Sequence, residues 1–189
     1  KIMASADLEW AKKYDDYIEA TYTGQRTLDR KTKELLQIVV ETATRQTCAV
    51  EALVRWRHPQ HGLISPDRFI ALAEETGVIV PIGEWVLRRA LTDAAGWPAH
   101  IKLAVNLSPA QLRRGNLVNI VSAALKDTKF PPQRLELEIT ESVLLEKNAA
   151  SLASLHELRS LGVSIVLDDF GTGYSPLSYL RMFPFDKIK

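Results

Sequence analysis

Cysteine is almost missing from this 189-residue chain, where Cys48 stands alone. That excludes an internal disulfide and fits a reducing compartment, with Cys48 read as a small packing residue. Long apolar runs are missing too. No stretch approaches the roughly 18 residues that a membrane span requires, and Lys1-Ile2-Met3 is not followed by a signal-peptide core. An excess of charge of one sign is also lacking. Lys and Arg total 24 against 23 for Asp and Glu, a net charge of +1. Such a chain has no global field to draw in nucleic acid or an anionic membrane, so DNA binding is not expected and any anionic ligand must be recognised locally. These absences point to a cytoplasmic segment. They leave open a membrane anchor elsewhere in a longer parent, which the lack of an initiator methionine and the mid-pattern close at Asp186-Lys187-Ile188-Lys189 suggest.

What is present falls into two regions. Residues 1–34 are charged, with Leu8, Ala11, Tyr14, Ile18 and Tyr22 at helical spacing. They read as a helical linker or the tail of an upstream module. From residue 35 to 189 short β-rich runs alternate with helical patterns. Strands are expected at Leu35–Val40, Ala49–Trp56, Ile101–Leu107, Leu135–Thr140, Ser164–Leu167 and from Lys187 onward. Between them helices are expected at Ser65–Thr76, Ile82–Ala95, Pro109–Arg114, Leu117–Lys126, Asn148–Leu161 and Pro176–Met182. This cadence predicts an α/β fold with a largely parallel sheet covered by helices. About six strands are visible, short of the eight in a closed barrel of about 250 residues.

The chemistry lies in polar residues that buried strands would not otherwise want. Glu51 lies in Ala49–Trp56, Asn106 closes Leu103-Ala104-Val105-Asn106, Glu138 sits in Leu135–Thr140, and Asp168-Asp169 follow Ile165-Val166-Leu167 before a glycine turn. Strand alternation puts Glu51 and Arg55 on one face and groups Glu136, Glu138 and Thr140 opposite Leu135, Leu137 and Ile139. Carboxylates with an amide oxygen, and no cluster of His or Cys, describe a site for hard cations such as Mg²⁺ or Mn²⁺. Two such cations beside Arg55 and a lysine would suit phosphodiester hydrolysis, with a sugar-acting or lyase barrel as the competing assignment. His58 and His61 lack metal-ligand spacing and read as loop residues. Glu74 and Glu75 read as solvated helix charges, and Trp56, Trp85 and Trp97 as packing.

Five ordered segments resemble the EAL-domain family of cyclic di-GMP phosphodiesterases. They are Glu51-Ala52-Leu53-Val54-Arg55-Trp56-Arg57-His58-Pro59, Pro66–Gly77, Asn106-Leu107-Ser108, Glu138-Ile139-Thr140-Glu141-Ser142 and Asp168–Ser175. The resemblance implies a TIM-type (β/α) barrel, incomplete at its C-terminus, that opens one phosphodiester of cyclic di-GMP, a bacterial second messenger, using two Mg²⁺ or Mn²⁺ ions. By motif position it implies Glu51, Asn106, Glu138, Asp168 and Asp169 as metal ligands. It also implies Lys189 at the nucleophilic water, Arg55 at a ligand phosphate, Leu53 beside the nucleotide, and Glu141 holding the loop after Asp169. A homodimer contact through Tyr174–Arg181 and an upstream sensory or nucleotide-cyclase domain belong to the same expectation. A catalytically silent cyclic di-GMP receptor is the alternative.

The resemblance weakens at both ends. The family's first-strand glutamine has Gln37 as its nearest equivalent, in Leu36-Gln37-Ile38-Val39-Val40-Glu41, without the usual flanking Tyr and Pro. Two further family strands, carrying another glutamate and a glutamine, are missing. An open barrel with fewer oxygen donors is expected to bind metal and nucleotide poorly on its own.

Overall fold

The computed structural model describes residues 36–41, 49–145, 148–170 and 183–189, with 36–41 and 144–145 by backbone alone. The expected N-terminal helices, Cys48, the helix at Pro176–Met182 and the contact surface Tyr174–Arg181 lie outside the described residues. Among the described residues seven strands form one sheet: β1 Leu36–Glu41, β2 Ala49–His58, β3 Gly62–Ile64, β4 Lys102–Asn106, β5 Leu135–Thr140, β6 Ser164–Asp168 and β7 Lys187–Ile188. Their order is β1-β2-β4-β5-β6-β7, with β3 paired to the far end of β2. The run β2-β4-β5-β6-β7 is parallel, as in an α/β barrel, and β1 and β7 are its two edges among the described residues.

Two departures from a purely parallel sheet occur at β2. β1 runs antiparallel to it, from Leu36 opposite Trp56 to Glu41 opposite Glu51. The intervening residues 42–48 are too few for the crossover of a dozen or more that parallel pairing needs. β3, which was not expected, folds back as a hairpin partner through Trp56, Arg57 and His58. β2 pairs with β4 only from Ala49 to Ala52, so its second half rises beyond the parallel wall.

Helices cover one face of the sheet. The expected helix over Ser65–Thr76 is split into a 3₁₀ turn, Pro66–Arg68, and α1, Ile70–Glu75, because Phe69 between them adopts φ −133° and ψ −17°. Helix α2 spans Ile79–Ala94 and buries Ile79, Ile82, Val86, Leu87, Ala90, Leu91 and Ala94, the i, i+3/i+4 stripe of a core-facing helix. Its Pro81 falls in the first turn, where no intrahelical N–H bond is lost. Helix α3, Pro109–Arg113, begins with a capping box in which Ser108 accepts from the Ala110 N–H and Gln111 returns a bond to the Ser108 N–H. Helices α4, Leu117–Thr128, and α6, Ala149–Ser160, supply Val121, Leu125, Leu155 and Leu158, and a short α5 covers Ser142–Leu145.

The sheet's contribution to this core is Ala52 and Trp56 from β2, Leu103 and Val105 from β4, Leu135, Leu137 and Ile139 from β5, and Ile165 and Leu167 from β6. Alternation then commits the intervening residues to the opposite face. Glu51, Leu53, Arg55, Asn106, Glu136, Glu138 and Asp168 share that side.

Candidate active site

At the C-terminal ends of the parallel strands the polar side chains meet in pairs. Asn106 Nδ2 donates to Glu51 Oε1 at 2.6 Å, linking β4 to β2. Glu138 stands beside Asn106 in register on β5, its side chain fully buried. Its Oε1 accepts from the ammonium of Lys189, while its Oε2 is buried without a hydrogen-bond partner among the described residues. Burial pushes the Glu138 carboxyl up. The Lys189 bond opposes that shift and the nearby charges of Glu51 and Asp168 reinforce it, leaving Glu138 above the usual carboxylate range. For Lys189, burial pulls downward, but the bond to Glu138 and the negative charges of Glu138, Asp168 and Glu51 prevail and hold the ammonium above its ordinary value.

Asp168 ends β6, and Asp169 follows with φ 56°, a left-handed backbone that Asp tolerates better than most residues. The Asp169 N–H donates to Asp168 Oδ1 at 3.0 Å, and its side chain reaches the wall of a cavity of about 560 Å³. Leu53, Asn106, Glu138 and Thr140 line the same cavity. Arg55 is half-buried and donates to the Val54 carbonyl at 3.0 Å, outside the lining set. Glu141 is buried, and Gln37 is opposite Arg55 in register, with its side chain outside the described residues. His58 Nδ1 accepts from the N–H groups of Gln60 and His61, which makes both histidines part of the hairpin loop, as expected.

Glu74 needs a correction. It is not a solvated helix charge: its Oε1 accepts from Ser108 Oγ at 2.6 Å, and the residue lines the cavity. Gln111 was missed as well. It is buried, accepts from the Ser108 N–H through Oε1, and lies under Gly83 on the same wall. The available signal was Ser108 itself, a helix cap two residues after Asn106.

Oxygen donors without nitrogen or sulfur, and a buried carboxylate oxygen lacking a partner, fit a hard divalent cation in type and placement. They are not drawn into a coordination shell. Among the described residues no three His, Cys, Asp or Glu side chains stand close enough to hold one ion. Glu51 is engaged instead by the Asn106 amide and Glu138 by Lys189.

A family model described as the EAL domain matches residues 25–189. The chain belongs to the EAL domain family. Among its relatives, the Pseudomonas aeruginosa protein named bifunctional diguanylate cyclase/cyclic di-GMP phosphodiesterase MucR is 49% identical over 144 residues, 74% of this chain and 21% of that protein. The same organism's cyclic di-GMP phosphodiesterase NbdA is 45% identical over 158 residues, 81% of this chain and 20% of that protein. The chain thus spans about a fifth of the length of these curated relatives. A solved MucR phosphodiesterase in complex with c-di-GMP superposes on this EAL domain with a TM-score of 0.76 and 43% identity, over 82% of this chain and 66% of that one. No described helix of this EAL domain is long and apolar enough to cross a membrane.

Proposed function

We propose that this EAL domain hydrolyses cyclic di-GMP to the linear dinucleotide, with two Mg²⁺ or Mn²⁺ ions held by Glu51, Asn106, Glu138, Asp168 and Asp169. The observation that carries this is the row of oxygen donors on adjacent parallel strands, ending in the buried and unpartnered Glu138 Oε2 beside a cavity. Bound there, divalent cations would supply acidified water and charge neutralisation at the phosphodiester. The protein's own side chains supply the rest. Lys189, held protonated by three carboxylates, keeps a positive charge at the strand ends where a phosphate would sit. Asn106, bonded to Glu51, fixes the orientation of that carboxylate, and burial of Glu138 keeps water away from its unpartnered oxygen. Leu53 gives the cavity an apolar wall, and Arg55 on the same strand is the phosphate contact in this reading.

A cytoplasmic setting, a homodimer through Tyr174–Arg181 and an upstream sensory or nucleotide-cyclase domain belong to the same proposal. The naming of MucR as a bifunctional diguanylate cyclase/cyclic di-GMP phosphodiesterase supports the upstream domain, and the c-di-GMP complex of MucR supports the ligand. Chromatography of the products tests it: linear dinucleotide forms with Mg²⁺ or Mn²⁺, disappears with chelator, and is lost in Glu51→Ala. Binding of cyclic di-GMP without turnover at any cation concentration would reassign the chain as a receptor.

A further inference from the structure

The cavity has two chemically different ends. Asn106, Glu138 and Asp169 make the oxygen-rich one, while Ile70, Ile79, Ile82 and Val86 make an apolar wall at the other. On that apolar wall stand two polar groups, Glu74 and Gln111, both oriented by Ser108. Ser108 Oγ donates to Glu74 Oε1, which leaves Oε2 with no donor among the described residues. The Ser108 N–H donates to Gln111 Oε1 at 3.1 Å, which fixes the amide so that its NH₂ is the remaining group, with no acceptor among the described residues. The wall therefore offers a carboxylate acceptor and an amide donor, set in an apolar slot.

A purine base has that combination of properties, a flat apolar body with a polar edge. The two purines differ in pattern. Guanine presents N1–H and N2–H₂ donors next to the O6 acceptor, whereas adenine presents a bare N1 next to an N6–H₂ donor. A carboxylate beside an amide NH₂ complements the first and opposes the second, because the N1 lone pair of adenine would face a negative charge. Resting on the cyclic di-GMP reading above, we infer that Glu74 reads the N1–H and N2–H₂ edge of one guanine of the dinucleotide and that Gln111 donates to its O6. Glu74 is then a specificity-determining residue, remote from the reacting phosphate. The bond from Ser108 holds its carboxylate in place before the ligand arrives, which lowers the ordering cost of binding.

The inosine analogue of cyclic di-GMP, which lacks only the two 2-amino groups, reports this contact through the change in preference between wild type and a Glu74 variant. Equilibrium binding of both dinucleotides to the 189-residue chain, with chelator present to stop turnover, is the measurement. Wild type should prefer the guanine ligand by roughly 10- to 100-fold, the range for a hydrogen bond to a charged group. Glu74→Gln should lower that ratio by about tenfold or more while its affinity for the inosine ligand stays close to wild type. Glu74→Ala serves as a second variant, and taking the ratio within each variant cancels any general loss of folded protein. An unchanged ratio in both variants overturns the role of Glu74 and leaves the cyclic di-GMP reading standing. A wild-type chain that binds neither dinucleotide, in chelator or at saturating Ca²⁺ in its place, overturns that reading, and this inference with it.

Discussion

Asn106 and Glu51, on neighbouring parallel strands, are joined by a 2.6 Å hydrogen bond from the amide to the carboxylate. Asn106→Asp exchanges the donor for a second negative charge facing the first. In chelator the variant should lose about 1–2 kcal/mol of stability, the scale of a charged hydrogen bond removed. Added Mn²⁺ should return more stability to the variant than to wild type, since an extra carboxylate strengthens an oxygen site for a cation. Urea denaturation with and without Mn²⁺ measures this, and a gap that the ion does not narrow would count against a cation between these strands.

Lys189→Met should destabilise the fold by about 1–3 kcal/mol, because it leaves both oxygens of the buried Glu138 carboxylate without a donor. The loss should depend on pH in a definite direction. A carboxyl whose folded pKa lies above its unfolded value binds more protons when folded, so stability falls as pH rises through the interval above 4.5. Removing the lysine removes the opposing influence and widens that interval. Denaturation curves across the carboxylate range should therefore show the variant falling further behind wild type as pH rises, and Glu138→Gln in the same chain should remove the slope.

Gly83 packs against the buried amide of Gln111 so closely that a Cβ there would lie 2.2 Å from Nε2 and 2.5 Å from Cδ. Gly83→Ala should displace Gln111 at a cost of about 1–3 kcal/mol, as overpacking does. Adding Gln111→Ala should recover part of the loss, giving a coupling term in a double-mutant cycle of thermal melts. Simple additivity would mean that the glycine is not needed to seat the amide.

Asp186 ties the segment before β7 to α6 and β6. It accepts from Arg159 Nε and Nη2 and from the Ile165 N–H, at 3.2, 2.9 and 2.8 Å. Burial raises its carboxyl, but those bonds and the charges of Arg159 and Lys102 outweigh burial and set it below the ordinary 3.8. A lowered folded pKa stabilises the protein above the unfolded value and ceases to do so as pH falls through the folded one. Asp186→Asn should thus cost about 1–2 kcal/mol at neutral pH, and the gap to wild type should close as pH drops below 3.8. Equal sensitivity to acid in the two proteins would contradict the assignment.

The shared face of Glu51, Asn106, Glu138 and Asp168 was legible because strand alternation alone places them opposite the apolar residues that the helices cover. The helix limits at Pro109 and Gly162 were legible for a similarly local reason. Ser108 with Pro109 starts a helix by cap chemistry, and Gly162 at φ 93° ends one. β3 escaped notice because three residues carry no periodicity, and its pairing is set by the turn after His58. The reversed direction of β1 was not foreseen, although the short span 42–48 dictates it. Glu74 was not readable from its own helix, where a glutamate resembles any solvated charge. What makes it different is Ser108, 34 residues later, which reaches it only once β4 has taken its place in the sheet.

The length of β2 has one more consequence. Because this strand continues from Ala49 to His58 while its parallel pairing with β4 ends at Ala52, a single unbroken backbone carries both Glu51 and Arg55. Four residues of extended chain set those two positions about 13 Å apart. That separation is a matter of covalent geometry and cannot drift with loops or helix packing. β2 acts as a built-in ruler along the axis of the site, flanked on its upper half by β1 and β3 so that it does not bend. Glu51 and Arg55 therefore keep one fixed spacing along the strand however the helices around it pack.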